Sequence, residues 1–178
     1  MIERRIVRRY ATALFEAARK ANAIDRVESD LGLVSYALET MPSLMEAVRS
    51  PLVQRDHKKA VLRDLFADKI HEVTLSFLDL LVEKRREEVV LETEPEYVAL
   101  ADDARGIVKA EVTAAVHLTA EEESRLAAKL SRMTGKRAEL SISVDSGIIG
   151  GLMVKIGDTV IDGSIRGQLE ALRERLLG

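Results

Sequence analysis

Cysteine and tryptophan are absent from this 178-residue sequence, and proline, histidine, phenylalanine and tyrosine occur three times each. Without cysteine there are no disulfides, no thiolate metal sites and no thiol nucleophile, and the composition fits a reducing compartment. With 3% aromatics, Leu, Val, Ile and Ala must fill the core. His57, His71 and His117 stand in no metal-ligand spacing. A long apolar run is also missing. The richest window, Val73 to Val82, is interrupted by Asp79 and falls short of the ~20 residues of a membrane-spanning helix. Nor does charge of one sign dominate: 27 basic and 30 acidic residues leave a formal charge of −3, so no global field draws the chain to nucleic acid or an anionic membrane.

What is present is helical periodicity. From Glu3 to Ala21, apolar or small residues recur at Ile6, Tyr10, Ala13, Leu14, Ala17, Ala18 and Ala21, the stripe of an amphipathic helix. The stretch is Arg-rich like a transit peptide, but Glu3 and Glu16 interrupt it, and it reads as part of the fold. Ile24, Val27, Leu31, Val34, Leu38 and Met41 form a heptad-like seam that ends at Pro42, giving a second helix antiparallel to the first. Shorter helices are expected from Pro42 to Arg49 and from about Asp56 to Ala67. His71 to Glu88 is apolar nearly all round and is expected to be the central, most buried helix. Glu94 and Pro95 mark the start of a sixth.

Beyond Arg105 the period changes to two. AEVTAAV places Val112, Ala114 and Val116 on one strand face, and AELSISV does the same for Leu140, Ile142 and Val144. Between them, Thr119 with Glu122 forms a capping-box pattern, Leu126, Leu130 and Met133 follow at helical spacing, and Gly135 ends the helix. The expectation is a mainly α, α+β protein: a six-helix bundle over 1–105, then a small α/β region over 106–178 with a β-hairpin and a terminal amphipathic helix.

The stretch GIIGGLMVKIGDTVIDGSI, Gly147 to Ile165, admits a nucleotide-loop or a structural reading. A phosphate loop needs Lys-Ser or Lys-Thr directly after its last glycine and a helix beyond. Here Leu152 and Met153 follow Gly151, and Lys155 falls within a strand pattern. The structural reading is a hairpin of Met153–Ile156 and Thr159–Ile161 turned at Gly157 and Asp158. Gly150 and Gly151 then serve a close approach or positive φ, and Asp162 or Ser164 caps the last helix.

The string VDSGIIGGLMVKIGDTVIDGSIRGQLEALRERL resembles the C-terminal signature of the delta subunit of bacterial F-type ATP synthase, the mitochondrial OSCP. RRYATALFEAA, SPLVQRDHKKAVLRDLF and FLDLLVEKRREEVV are similar to the family's helical half. Ser76 departs from the Asn common there, as Lys84-Arg85 departs from Asn-Gly or Asn-Arg. The resemblance implies a non-catalytic stator subunit without metal or cofactor, linking the F1 head to the peripheral stalk so that proton translocation is coupled to ATP synthesis. It further implies that residues 1–105 bind the N-terminal segment of an α subunit between the first and fifth helices, and that residues 106–178 bind the b subunits. One copy per F1Fo complex, monomeric when isolated, would sit peripherally on the cytoplasmic face of the bacterial plasma membrane, without inserting into it or binding nucleic acid.

On the residues themselves, Ile6, Ala13 and Ala17 extend the apolar surface of the first helix beyond the side of Val7, Tyr10 and Leu14. The candidate α-binding set is Ile6, Tyr10, Ala13 and Ala17, with Leu78, Leu81 and Val82 as the facing wall. Leu169, Leu172 and Leu176 are the stalk candidates, and Gly150, Gly151, Gly157, Asp158, Asp162 and Ser164 the structural signature. Two other classes stand beside this reading. Arg4, Arg5, Arg8 and Arg9 suit an RNA-binding helical regulator of transcription, and Gly147 to Lys155 a small nucleotide-binding enzyme. Neither accounts for the hairpin and both helical regions together.

Overall fold

Residues spaced three and four apart in the first part of the chain form six helices: α1 (Arg4–Lys20), α2 (Ile24–Thr40), α3 (Pro42–Arg49), α4 (Arg55–Phe66), α5 (Glu72–Lys84) and α6 (Val89–Ala104). The computed structural model describes residues 4–157, 159–169 and 173, and the chain divides into two compact units, Met1–Ala101 and Asp102–Gly178. Glu3, Asp158, Leu172 and Leu176 lie outside the described residues. In the first unit α1 buries Val7, Ala11, Leu14, Phe15 and Ala18, and α2 buries its seam from Val27 to Leu38, so each helix turns one stripe to a shared core.

α5 packs against α1, α2 and α4. Its start is fixed from outside the helix: the buried carboxylate of Asp30 on α2 accepts hydrogen bonds from the His71 backbone N–H at 2.6 Å and the Thr74 hydroxyl at 3.0 Å. Arg26 Nε lies 3.0 Å from the other carboxylate oxygen. His71 caps the helix, its Nδ1 accepting from Val73 N–H. The helix stops four residues before the expected end at Glu88. Arg85 takes a left-handed conformation, φ 54°, and Arg85 and Arg86 donate back to the Val82 and Leu81 carbonyls, a Schellman-type closure. That conformation favours Asn or Gly, and the sequence pattern of Lys84-Arg85 conceals it.

Pro95 does not start α6 as expected. The helix begins at Val89 and Pro95 lies inside it. Val89 and Val90 are buried and hold the first turn on the core, whereas the Pro95 ring is exposed and displaces no core side chain.

The second unit is a four-stranded sheet of order β2-β1-β3-β4. β1 (Ile107–Ala114) pairs in parallel with β2 (Arg137–Val144), with helix α7 (Ala120–Thr134) between them in sequence. β3 (Leu152–Ile156) and β4 (Thr159–Asp162) form the antiparallel hairpin. The inward residues of β1 are Ala110, Val112 and Ala114. Val116 lies past the strand end and is exposed, as is Val144, so these two strand-pattern residues do not share the inward face expected of them; Met133 on α7 is exposed as well. The core gathers Ala110, Val112, Leu130, Ala138 and Val154. Residues 165–169 are helical, and Ser164 caps them, its Oγ accepting from Gly167 N–H at 3.0 Å.

Gly151 stands at φ 78°, and a Cβ there would overlap the Gly163 carbonyl oxygen; the Gly-Gly pair exists because two backbones meet. Gly151→Ala is expected to destabilise the second unit by about 2–4 kcal/mol, from left-handed strain plus overpacking, read as loss of amide protection in the 107–162 sheet while 4–101 stays protected. In the first unit, Asp30→Ala leaves a half-buried amide and a buried hydroxyl without acceptor. It is expected to cost about 2–4 kcal/mol in denaturant unfolding, with amide exchange accelerated first at 71–74.

Two carboxylates in the second unit titrate below their ordinary range. Glu122 is held down by hydrogen bonds from the Thr119 backbone and side chain, which complete the capping box, and Asp162 by those from the Ser164 side chain and backbone. A carboxylate whose folded pKa is depressed stabilises the fold fully above the ordinary range, and the contribution disappears as pH falls through the depressed value. Carboxyl-detected NMR titration should place both below ordinary Glu and Asp, with Thr119→Ala raising Glu122 and Ser164→Ala raising Asp162 only part of the way, because the backbone N–H of residue 119 or 164 still donates.

Candidate partner-binding site

On α1, Ile6, Tyr10, Ala13 and Ala17 fall on one stripe beside the buried one. Ile6 and Tyr10 pack partly on the core, while Ala13 and Ala17 are exposed. On α5, Val73, Ser76 and Leu80 recur at three and four residues along the edge that faces this stripe. Between them runs a groove of about 320 Å³ lined by Tyr10, Ala13, Leu14, Ala17, Val73, Ser76, Phe77 and Leu80, with Glu72 at its edge. Its floor is an edge-to-face aromatic pair, the Tyr10 and Phe77 rings 6.4 Å apart and inclined at 66°, which locks both rings. Leu80 is 39% exposed, so α5 is not buried all round: one edge stays uncovered, and that edge is the groove wall.

The α1 half of the expected site therefore lines the groove, except Ile6, which continues the stripe beyond the lining residues. The α5 half does not. Leu78, Leu81 and Val82 are 3%, 1% and 1% exposed and point into the core toward Val34, Leu38, Val48 and Leu62. An apolar helix contacted on three sides gives little sequence signal of which edge remains free. The one available cue was Ser76, a small polar residue inside an apolar run. Opposite it, alanines on α1 clear space for a close-packed backbone, which a larger side chain would fill.

Other candidates resolve into structure. Arg4 pairs with Glu96 at 3.5 Å, and the Arg9 guanidinium lies 5.8 Å from the Tyr10 ring centre, a cation–π contact at one end of the groove. Lys155 sits on β3 with Glu111 3.3 Å away across the β1–β3 pair, not at a helix N-terminus where a phosphate loop would hold it. In the second unit, Ile149, Val160, Ile161, Ile165 and Leu169 are exposed apolar residues. Leu169 is one of the expected stalk-binding residues; its companions Leu172 and Leu176 lie outside the described residues. Among the described residues no group of three or more His, Asp or Glu is placed to hold a metal ion.

Comparison with known proteins agrees with this architecture from end to end. The family described as ATP synthase delta (OSCP) subunit matches residues 6–176. The chain belongs to that family. The ATP synthase subunit delta of Desulforamulus reducens is 41% identical over 177 residues, covering 99% of this chain and 98% of that protein. That of Salinibacter ruber is 39% identical over 176 residues, covering 99% and 93%. A chain of the Toxoplasma gondii mitochondrial ATP synthase hexamer superposes with a TM-score of 0.67 at 27% identity, covering 97% of both chains. Membership of the delta/OSCP family makes this a structural, not a catalytic, subunit of the F1Fo ATP synthase. That complex is membrane-associated, and among the described residues no helix is long and apolar enough to cross a membrane.

Proposed function

We propose that the chain is a stator link: its first unit holds the N-terminal segment of an F1 α subunit in the α1–α5 groove, and its second holds the b subunits of the peripheral stalk. The observation that carries the reading is the groove itself. It is an apolar channel between two helices, floored by locked rings and walled by exposed alanines on one side and Val73, Ser76 and Leu80 on the other. Such a channel accepts the apolar face of an amphipathic helix through anchors three and four residues apart. On the second unit, Ile165 and Leu169 present an exposed apolar face suited to an elongated stalk helix. The subunit acts once per complex, at the cytoplasmic face of the bacterial membrane, held there by its partners and not inserted into the bilayer. Its contribution is resistance to torque, so that proton translocation stays coupled to ATP synthesis.

Calorimetric titration of the full chain with a peptide matching the first ~20 residues of the cognate α subunit, about 30 Å of helix, tests the groove. One-to-one binding is expected. Ala13→Asp and Leu80→Asp, both exposed positions, should each weaken it by at least about tenfold, because each buries an unpaired carboxylate against the peptide. Leu169→Asp should leave it unchanged. Absence of binding by the folded wild-type chain, or equal binding by all variants, removes the groove from the mechanism.

A further inference from the structure

At the other end of α5 lies a second cavity of different chemistry. It measures about 420 Å³ and is lined by Arg49, the 51–55 loop, Lys58, and Arg85 to Val89. Five cationic residues face two anionic ones there, in a chain whose overall charge is −3. One cation is neutralised: buried Lys58 holds Glu87 at 2.7 Å. Arg49, Arg55, Arg85 and Arg86 make no ion pair or side-chain hydrogen bond among the described residues, although surface arginines elsewhere, such as Arg63 with Asp79, do. The start of α4 opens into the same space. Its N-cap, Gln54, makes no side-chain capping bond, so the first-turn amides keep their donors.

We propose that this cavity binds a small, multiply charged oxyanion whose recognised groups are phosphates. Guanidinium forks pair with phosphate oxygens through two parallel hydrogen bonds, and the amides of a helix start add donors and a favourable dipole. The volume lies within the range of small-molecule sites, roughly 300–1,000 Å³, and exceeds what a single phosphate fills. No aromatic residue lines it, so it offers a nucleobase no ring to stack on, and recognition rests on the charged groups. The Lys58–Glu87 pair holds α4 to the loop after α5 and so fixes the spacing of the arginines. Two sources offer this chemistry, a soluble di- or polyphosphate and an anionic phospholipid headgroup. Leu52, 91% exposed beside the arginines, would lie against an acyl chain in the second case.

The test is calorimetry of the full chain with inorganic pyrophosphate near 0.15 M salt, where distant charges are screened over about 8 Å. Alongside it, the chain is sedimented with phosphatidylcholine vesicles with and without phosphatidic acid. The expected result is saturable one-to-one pyrophosphate binding, with amide shifts in the wild type centred on 54–58 and 85–89. Arg55→Gln/Arg86→Gln should lower affinity by about tenfold or more, while Lys129→Gln/Arg132→Gln on α7 should not change it. Co-sedimentation dependent on phosphatidic acid, and lost in both Arg55→Gln/Arg86→Gln and Leu52→Ser, would assign the headgroup as the source. Absence of binding to both pyrophosphate and the phosphatidic acid vesicles, shifts spread over the whole surface, or equal binding by all variants overturns the proposal. Binding of the α peptide is read on the same samples and is independent of this outcome.

Discussion

The carboxylate of Asp30 decides where α5 begins, and much of the first unit follows from that. It is buried on α2, takes the first free amide of α5 and the Thr74 hydroxyl one turn on, and is paired with Arg26 at the surface. A helix start left without such partners inside a core would expose orphan donors to an apolar environment. Satisfying them from α2 sets both the height and the rotation of α5. With rotation set, Thr74, Phe77, Leu78, Leu81 and Val82 turn inward, and Val73, Ser76 and Leu80 are left along the free edge. The groove is therefore a consequence of a polar contact that lies beneath it, and the Schellman closure at Arg85 places the arginine-lined cavity at the far end of the same helix.

How much of this could be read from the residues depends on what each signal reports. Periodicity located α1 to α4 to within a residue or two, because each has a clear apolar stripe and most end at a proline or a polar break. It failed at both ends of the α5–α6 junction for separate reasons. Arg85 is a left-handed residue with no glycine or asparagine to announce it, so the pattern ran on to Glu88. Pro95 looked like a helix start because proline favours first turns, yet it is tolerated mid-helix where its face is exposed. The candidate site divides similarly. Ala13 and Ala17 were legible since small residues stood where an amphipathic helix carries polar ones, whereas the α5 wall was not, because a helix packed by three neighbours carries apolar residues in every direction.

The glycine-rich stretch shows the opposite case, in which a local pattern admits two chemistries and the surroundings choose. Gly150 and Gly151 resemble the clearing that a phosphate needs. Here the space is filled by the chain itself: a Cβ on Gly150 would stand 2.6 Å from Ile165 Cδ1, and one on Gly151 would meet the Gly163 backbone. Lys155 is spent on Glu111 across the sheet. What decides against a phosphate loop is the strand after the glycines, since a strand directs its amides sideways into a ladder, whereas a helix start directs them forward together.

A subunit proposed to carry load needs interfaces that do not loosen when pulled, and the groove has the features that make one stiff. Its floor is two rings in edge-to-face contact, 6.4 Å between centres, each backed by the core, so neither can swing aside to let an occupant slip. Its α1 wall is made of alanines, which have no rotamers to lose and bring the occupant's backbone close, raising contact per residue without an entropic penalty. Beneath it, Leu78, Leu81 and Val82 are buried and face Val34 and Leu38 of α2 and Leu62 of α4. On the proposed reading, a force applied to a helix in the groove therefore passes through α5 into the whole bundle. A site evolved for release and turnover would place flexible side chains where this one has alanine and interlocked rings.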